Sequence, residues 1–351
     1  MDALVTPEVA DVDRMSRRFT QVFLLVLLGG LATTAAVAVL VDPFRVFGTG
    51  RIPTEVVNER VIKPELFLVA SPPPQAIILG SSRVYKLDPR CVTELTGLPA
   101  FNFGVGNGNA EDWHAIMGFV TDHGRAPVRE LLIGIDVDGF DTHSDHRLEI
   151  APRLGEYVGH GRLSWGEATR VLFGQDAFQY GLRSIWFTLR PADRGHPNYF
   201  GPDGLEFEPE RDERIQRGTY SFEDATAKQA RRIKRLAADS FDALSPARVA
   251  LFRTVIRAAR ARGTEIDVFV APMSPVLSKA RSFSQIPQRE AELDALLSEL
   301  ERDGMVRYHR LAEVEDLGRD PVGFYDGAHM TESTATRVLL RLFHRQHGCG
   351  L

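Results

Sequence analysis

The apolar positions along the chain form one long run and several short ones. Residues 22–41, VFLLVLLGGLATTAAVAVLV, carry no charge. A helix over that stretch is about 30 Å long, the thickness of the hydrocarbon layer of a bilayer. Further on, the runs shorten to strand length and alternate with stretches of helical period. Residues 75–79 (QAIIL) predict a buried strand, 99–103 a second, 129–135 (RELLIGI) a third, 266–270 a fourth and 306–309 a fifth. Helices are predicted over 55–70, over 110–122 behind an Asn109 cap, over 246–262 behind Ser245, over 288–303 and over 332–347. Strands alternating with helices imply an α/β chain with a parallel sheet covered on both faces.

The alternation breaks after the third strand. Residues 137–244 are polar, punctuated by Pro and Gly, and weakly periodic. An ordinary βα loop has about 2–6 residues, so this stretch is expected to be a large insertion, a cap or small subdomain with functional weight. The chain then divides into residues 1–21, a span at 22–41, a connecting segment at 42–74 and a main domain at 75–351 that holds the insertion. Trp165, Tyr180, Trp186 and Phe187 are expected to pack in the core of the insertion, with stacking on sugar rings as the alternative.

Charge gives the span a direction. Arg14, Arg17 and Arg18 precede it, whereas Asp42 and a single Arg45 follow. The positive-inside rule puts the N-terminus in the cytoplasm and the rest outside the cell membrane, periplasmic or extracellular. A cleaved signal peptide is the rival reading, with Ala36-Val37-Ala38 as its processing site. The anchor is preferred because the run exceeds the usual apolar region of about 7–15 residues. Elsewhere the chain is 25% charged and 44% hydrophobic, which excludes a disordered chain and a polytopic membrane protein. A net charge of −5 without a basic run argues against nucleic acid as a partner. Two cysteines, Cys91 and Cys349, make neither a disulfide scaffold nor a thiolate zinc site. They are expected to stay unpaired, although export would let them pair.

Ligands of open parallel sheets bind at the carboxyl ends of the strands. Three clusters fall there or just before a helix. The first is Gly80-Ser81-Ser82-Arg83, where a serine on a tight turn sits exposed with its amide at a helix start; plain N-capping is the alternative. The second is the loop 102–109, whose glycine amides can approach a substrate oxygen. The third is Asp326-Gly327-Ala328-His329. An Asp three residues before a His can orient the imidazole through Nδ1 and leave the ring to act as general base. Two other clusters carry less. Asp136, Asp138, Asp141, His143, Asp145 and His146 are expected to form a solvated loop, not a metal site. Arg60 and Lys63 are expected on a solvated helix face. No cofactor or metal is expected.

Taken together, the three blocks resemble the SGNH (GDSL-like) hydrolase superfamily over about residues 75–135 and 266–347. The resemblance implies a flavodoxin-like three-layer parallel sheet. It makes Ser82 the nucleophile and its amide an oxyanion donor, with Asp326 and His329 completing the triad. A second donor falls at Gly104, Gly106 or Asn107, with Gly106 favoured, and Arg83 and Asn107 are expected to contact substrate. The third block departs from the family pattern. Gly134-Ile135-Asp136 stands where the family has Gly-x-Asn, whose Asn helps bind the oxyanion. An ionised Asp in that place repels it. Either Asp136 turns away and braces the loop, or it is protonated, or the oxyanion hole has fewer donors.

The anchor and the Gly-Ser-Ser-Arg turn are similar to a membrane-anchored branch that includes D-alanyl transfer and polysaccharide O-acetylation proteins. The implied activity is a serine esterase or O-acyltransferase. Its substrate would be acylated cell-envelope carbohydrate or a small ester, with a membrane-bound O-acyltransferase as a further partner. The alternative, favoured by Asp136, is a non-catalytic polysaccharide-binding or docking partner of such an acyltransferase; a structural envelope protein is a third.

Overall fold

Short runs rich in Ile, Leu and Val extend and pair because their side chains find apolar cover on both faces. In a computed structural model the described strands are β1 (Ala76–Gly80), β2 (Ala100–Asn102), β3 (Glu130–Ile135), β4 (Tyr199–Phe200), β5 (Glu206–Phe207), β6 (Glu265–Val270) and β7 (Arg307–His309). β4 and β5 pair antiparallel by themselves, and the other five form a parallel sheet in the order β2-β1-β3-β6-β7. The helices are α1 (Pro7–Val41), α2 (Glu59–Val69), α3 (Pro89–Thr96), α4 (Ala110–His123), α5 (Trp165–Phe173), α6 (Gln175–Leu189), α7 (Pro209–Gln216), α8 (Phe222–Leu236), α9 (Pro246–Ala261), α10 (Pro275–Arg281), α11 (Ile286–Arg302) and α12 (Glu332–Leu342). The structure describes residues 7–50, 52, 54, 58–142, 148, 151–159, 165–191, 196–236, 241–282, 285–311 and 323–350. They fall into two units: residues 1–56 with 163–195, and residues 57–162 with 196–351.

The larger unit holds the sheet. Strand periodicity sends Ile77, Leu79, Leu131, Ile133, Ile266 and Val268 to one face, buried with Trp113 of α4, Phe252 of α9 and Leu297 of α11. Ala76, Ile78, Leu132 and Phe269 face the other way, against Val92 of α3 and Val338 of α12. A disulfide between Cys91 and Cys349 ties α3 to the C-terminal tail, against the expectation of free thiols. Two helices are shorter than their patterns suggest. α2 begins after Asn58, whose side chain accepts from the Arg60 amide at 3.2 Å, and residues 55–57 of its predicted range lie outside the described residues. α12 stops at Leu342, because His344 turns to a φ of +52° and breaks the helical bonding.

Burial corrects two other expectations. Arg60 and Lys63 are fully buried, not solvated. They share one face of α2 with Phe67 at i, i+3 and i+7, and that face turns inward. The stretch 137–244 divides between the two units: its residues 163–195, with α5 and α6, group with the N-terminal segment, and the remainder groups with the sheet. Its aromatic residues do not form a core, since Trp165 is 93% and Trp186 48% exposed.

The smaller unit contains α1. Its residues from Arg14 to Val41 form a helix long and apolar enough to cross a membrane or to serve as a signal sequence. Val22 to Leu28 are exposed all round it, the pattern of a helix that meets apolar surroundings on every side.

Towards the amino ends of β3 and β6 sits an ionic cluster whose carboxylates Glu130 and Asp267 are buried and whose Arg307 is half exposed. Arg307 reaches Glu130 at 3.0 Å and Asp267 at 2.6 Å, and His309 Nε2 lies 2.5 Å from Asp267. Burial, followed by the hydrogen bond and charge of Asp267, pushes the Glu130 carboxyl well above its ordinary 4.5. The folded protein therefore holds a proton there that the unfolded chain releases once the pH passes 4.5. This term erodes stability as pH rises towards the folded value. Glu130→Gln keeps a donor to Asp267 and an acceptor for Arg307 but cannot titrate. Urea unfolding at pH 8 should find it more stable than wild type by about 1–3 kcal/mol, with the difference vanishing near pH 4.

Candidate active site

β1 ends on Gly80, whose φ of +154° turns the chain sharply. A Cβ there would meet the Gly134 carbonyl oxygen at 2.6 Å, so only glycine permits this approach of β1 to β3. Ser81 and Ser82 follow, and they take different tasks. The Ser81 hydroxyl accepts from the Arg83 amide at 3.1 Å and donates to Asp136 Oδ2. The other Asp136 oxygen takes the Arg83 guanidinium, which also donates to the Ala271 carbonyl at the end of β6. Ser81 thus supplies the cap, and Ser82 is left facing the other way.

Ser82 Oγ lies 2.9 Å from His329 Nε2. His329 Nδ1 lies 2.8 Å and 3.0 Å from the two oxygens of Asp326. Asp326 Oδ1 also accepts the amides of Ala328 and His329, each at 3.0 Å, so the short loop fixes the carboxylate before α12 begins. Ser82 and His329, 247 positions apart, are thereby brought into line with Asp326, the geometry that a nucleophile, a base and an orienting acid require.

Charge tunes this line. Burial pulls the His329 imidazole down, but the hydrogen bond and charge of Asp326, helped by Glu208 and Glu206, outweigh it and raise its pKa above 6.5. Burial alone would raise Asp326; its bonds to His329 and the two loop amides instead hold it at about 2. The carboxylate stays ionised and the ring stays in the tautomer that presents Nε2 to Ser82.

The loop after β2 is held from below. The Asn102 side chain donates to the carbonyls of Val84 and Leu87 at 2.8 Å and 3.0 Å, and its oxygen accepts the Gly104 amide at 2.9 Å. That bond commits the Gly104 amide. Arg60 donates to the Gly106 carbonyl at 3.1 Å and grips Asp112 through two bonds of 2.6 Å and 2.7 Å. Asp112 in turn accepts the Asn109 amide in the capping box that starts α4. Lys63 lies beneath the same loop, 3.5 Å from the Asn102 side-chain oxygen, and burial lowers it to about 7.

A cavity of about 260 Å³ opens beside His329 and Asp326. Its other walls are Tyr85, Asn198, Glu206, Glu208, Arg211, Tyr220 and Tyr325. The Asn102 amide donates to the Asp203 carbonyl at 2.8 Å, which ties the β4–β5 turn to the end of β2 and brings Glu206 and Glu208 to the cavity. Burial first, and the charge of Glu208 second, raise the Glu206 carboxyl above its ordinary range. Arg211 pairs with Glu208 and stacks on the Tyr325 ring at 3.4 Å from its centroid. The result is a small polar chamber of hydroxyls, carboxylates and one guanidinium, suited to a ligand with several hydroxyls and little apolar surface.

The sequence-predicted residues divide accordingly. Ser82, His329 and Asp326 meet. Gly106 sits in the braced loop, with its carbonyl held by Arg60. Asp136, expected beside an oxyanion, instead braces the turn: both its oxygens are occupied, and Arg83 neutralises it. Arg83, expected to hold substrate, is drawn inward by the same pair and is 8% exposed. Asn107 is exposed at the loop tip with a φ of +52°, and neither it nor Arg83 lines the cavity. In the acidic run, Asp138 pairs with Arg281 at 2.9 Å, and His143, Asp145 and His146 lie outside the described residues. Among the described residues no three His, Cys, Asp or Glu side chains gather in a way that would hold a metal ion.

The cavity residues of the polar stretch are the ones that sequence reasoning missed. Glu206-Phe207-Glu208 did carry a signal, since alternation puts both carboxylates on one side of an extended strand. Tyr325, directly before Asp326, was another. Searches of family models, curated proteins and solved structures return no match to this chain.

Proposed function

We propose that this chain is a serine esterase or O-acyltransferase of the SGNH type, acting on an acylated carbohydrate of the cell envelope. One observation carries the reading: the Ser82–His329–Asp326 line at the carboxyl end of a parallel sheet, with a polar cavity against its base. Ser82 Oγ attacks the ester carbonyl carbon while its proton passes to His329 Nε2. The tetrahedral oxyanion is received by the backbone amides of Ser82 and Gly106. His329 returns the proton to the departing alkoxide, leaving an acyl-serine. Water or a sugar hydroxyl, deprotonated by His329, then attacks this ester and restores Ser82. Hydrolysis and transfer differ only in that last acceptor.

Two further observations support the setting. The apolar helix α1 suits a membrane anchor with the rest of the chain exported, and the Cys91–Cys349 disulfide suits an oxidising compartment. The docking alternative drew on the charge of Asp136; with that charge paired to Arg83, the catalytic reading is the better supported. A membrane-bound O-acyltransferase fits as the source of the acyl group.

Fluorophosphonate labelling of the purified protein, with mass mapping of the adduct, tests the proposal. The label should fall on Ser82 and disappear in Ser82→Ala. It should persist in Ser81→Ala, because Arg83 still holds Asp136 there. A folded wild-type protein that takes no label would sink the catalytic reading.

A further inference from the structure

The smaller unit contains a helical hairpin whose properties the active site does not use. α6 buries Ala177, Gly181 and Ser184, at i, i+4 and i+7, on one face. These small residues let α6 lie against α1: a Cβ on Gly181 would come within 2.5 Å of Val37 Cγ1. The opposite side of α6 is exposed, with Gln175 and Gln179 in its first turns and apolar residues beyond them, and α5 exposes apolar residues of its own. These apolar residues are Leu182, Trp186 and Leu189 on α6 and Trp165 and Phe173 on α5, with exposures from 42% to 93%. The Arg190 guanidinium stacks on the Trp186 ring at 4.4 Å, which leaves the aromatic body outward with a cation beside it.

We infer that this hairpin is seated in the lipid surface, at the boundary between headgroups and acyl chains on the side where α1 ends. The inference rests on the reading of α1 as a retained membrane span. Continuity with that span sets the depth. Val37 is four residues before the end of the helix at Val41, so α6 meets α1 roughly 6 Å inside the apolar segment. An interfacial helix buries its apolar face about 5–10 Å deep, and Trp with Arg is the side-chain pairing that suits that boundary. A soluble surface would have no use for a stripe of Leu and Trp at helical spacing.

The same packing argues against processing. Ala38 is fully buried and Val41 nearly so. Beyond them the Asp42 carboxylate accepts the amides of Val46 at 2.7 Å and Thr49 at 3.1 Å, a built turn that continues α1. Cleavage after Ala38 would remove Val37, the residue against which Gly181 of α6 packs.

The test uses the full chain in vesicles of phosphatidylcholine and phosphatidylglycerol, some carrying bromine near the headgroup end of the acyl chain and others near the methyl end. Trp113 is buried in the core of the larger unit and serves as the internal reference. Shallow bromine should quench the emission by about one half and deep bromine far less, as an interfacial depth requires. Trp165→Phe with Trp186→Phe should abolish that quenching without releasing the protein from the vesicles. A chain that floats with the vesicles and resists carbonate extraction, yet shows no quenching, would overturn the inference and give this face to a protein partner. A chain recovered from its membrane fraction beginning at Val39 would overturn the span itself.

Discussion

His329→Ala is expected to lower turnover of a small ester by about 10⁴-fold or more, with KM changed little. In the proposed reaction the imidazole accepts the Ser82 proton, and a serine hydroxyl without such a base is a weak nucleophile at neutral pH. The fold should survive, since His329 is half-buried and its removal opens no core cavity. The pH profile gives the same group a second signature. Only the neutral ring can accept the proton, so the rate rises as pH rises through the His329 pKa. The hydrogen bond and charge of Asp326 raise that pKa, which puts the acid limb above 6.5. Asp326→Asn removes the charge that holds the imidazolium. Its limb should shift to lower pH while the maximal rate falls by about 10⁴-fold, because the ring no longer has its tautomer fixed. A limb that stays in place in Asp326→Asn would mean that His329 does not govern the rate.

Much of this arrangement is legible in the sequence. The apolar runs at 75–79, 129–135 and 266–270 became β1, β3 and β6, because a strand buried on both faces has to be apolar throughout. Asp326 and His329 are local: three residues apart, with the loop amides doing the rest. Asp136 and Arg83 depart from what the sequence predicts for the opposite reason. Their meaning depends on each other across 53 residues, and a charge that is paired inside the turn is no longer available to substrate or oxyanion. The same holds for Arg60, whose burial is tolerable only because Asp112, 52 residues later, turns to meet it. The disulfide joins positions 258 residues apart, a proximity that no local pattern carries. In the polar stretch after β3, weak periodicity hid both the carboxylates that reach the cavity and the hairpin that packs on α1.

The Arg60–Asp112 pair is where those long-range contacts should be felt most strongly in stability. Neither side chain is exposed, and Asp112→Ala strips Arg60 of a two-bond carboxylate in a site that water does not reach. Breaking a buried pair in this way costs about 3–5 kcal/mol, which urea unfolding would register as a large fall in midpoint. The cap on Asn109 goes with it. Replacing both partners, Arg60→Met with Asp112→Leu, removes the stranded charge and should recover much of that loss. It cannot recover the bond from Arg60 to the Gly106 carbonyl, which fixes the Gly106–Asn107 peptide of that loop. If that loop presents the second oxyanion donor, the double variant regains stability and still loses about 10²–10³-fold in kcat, with KM little altered. A double variant that is both stable and fully active would remove the Gly106 loop from the catalytic machinery. One that stays unstable would mean that Arg60 and Asp112 support the fold through contacts other than their pairing. The two readouts separate because burial of an unmatched charge is a property of the whole folded state, whereas an oxyanion donor acts only in the transition state.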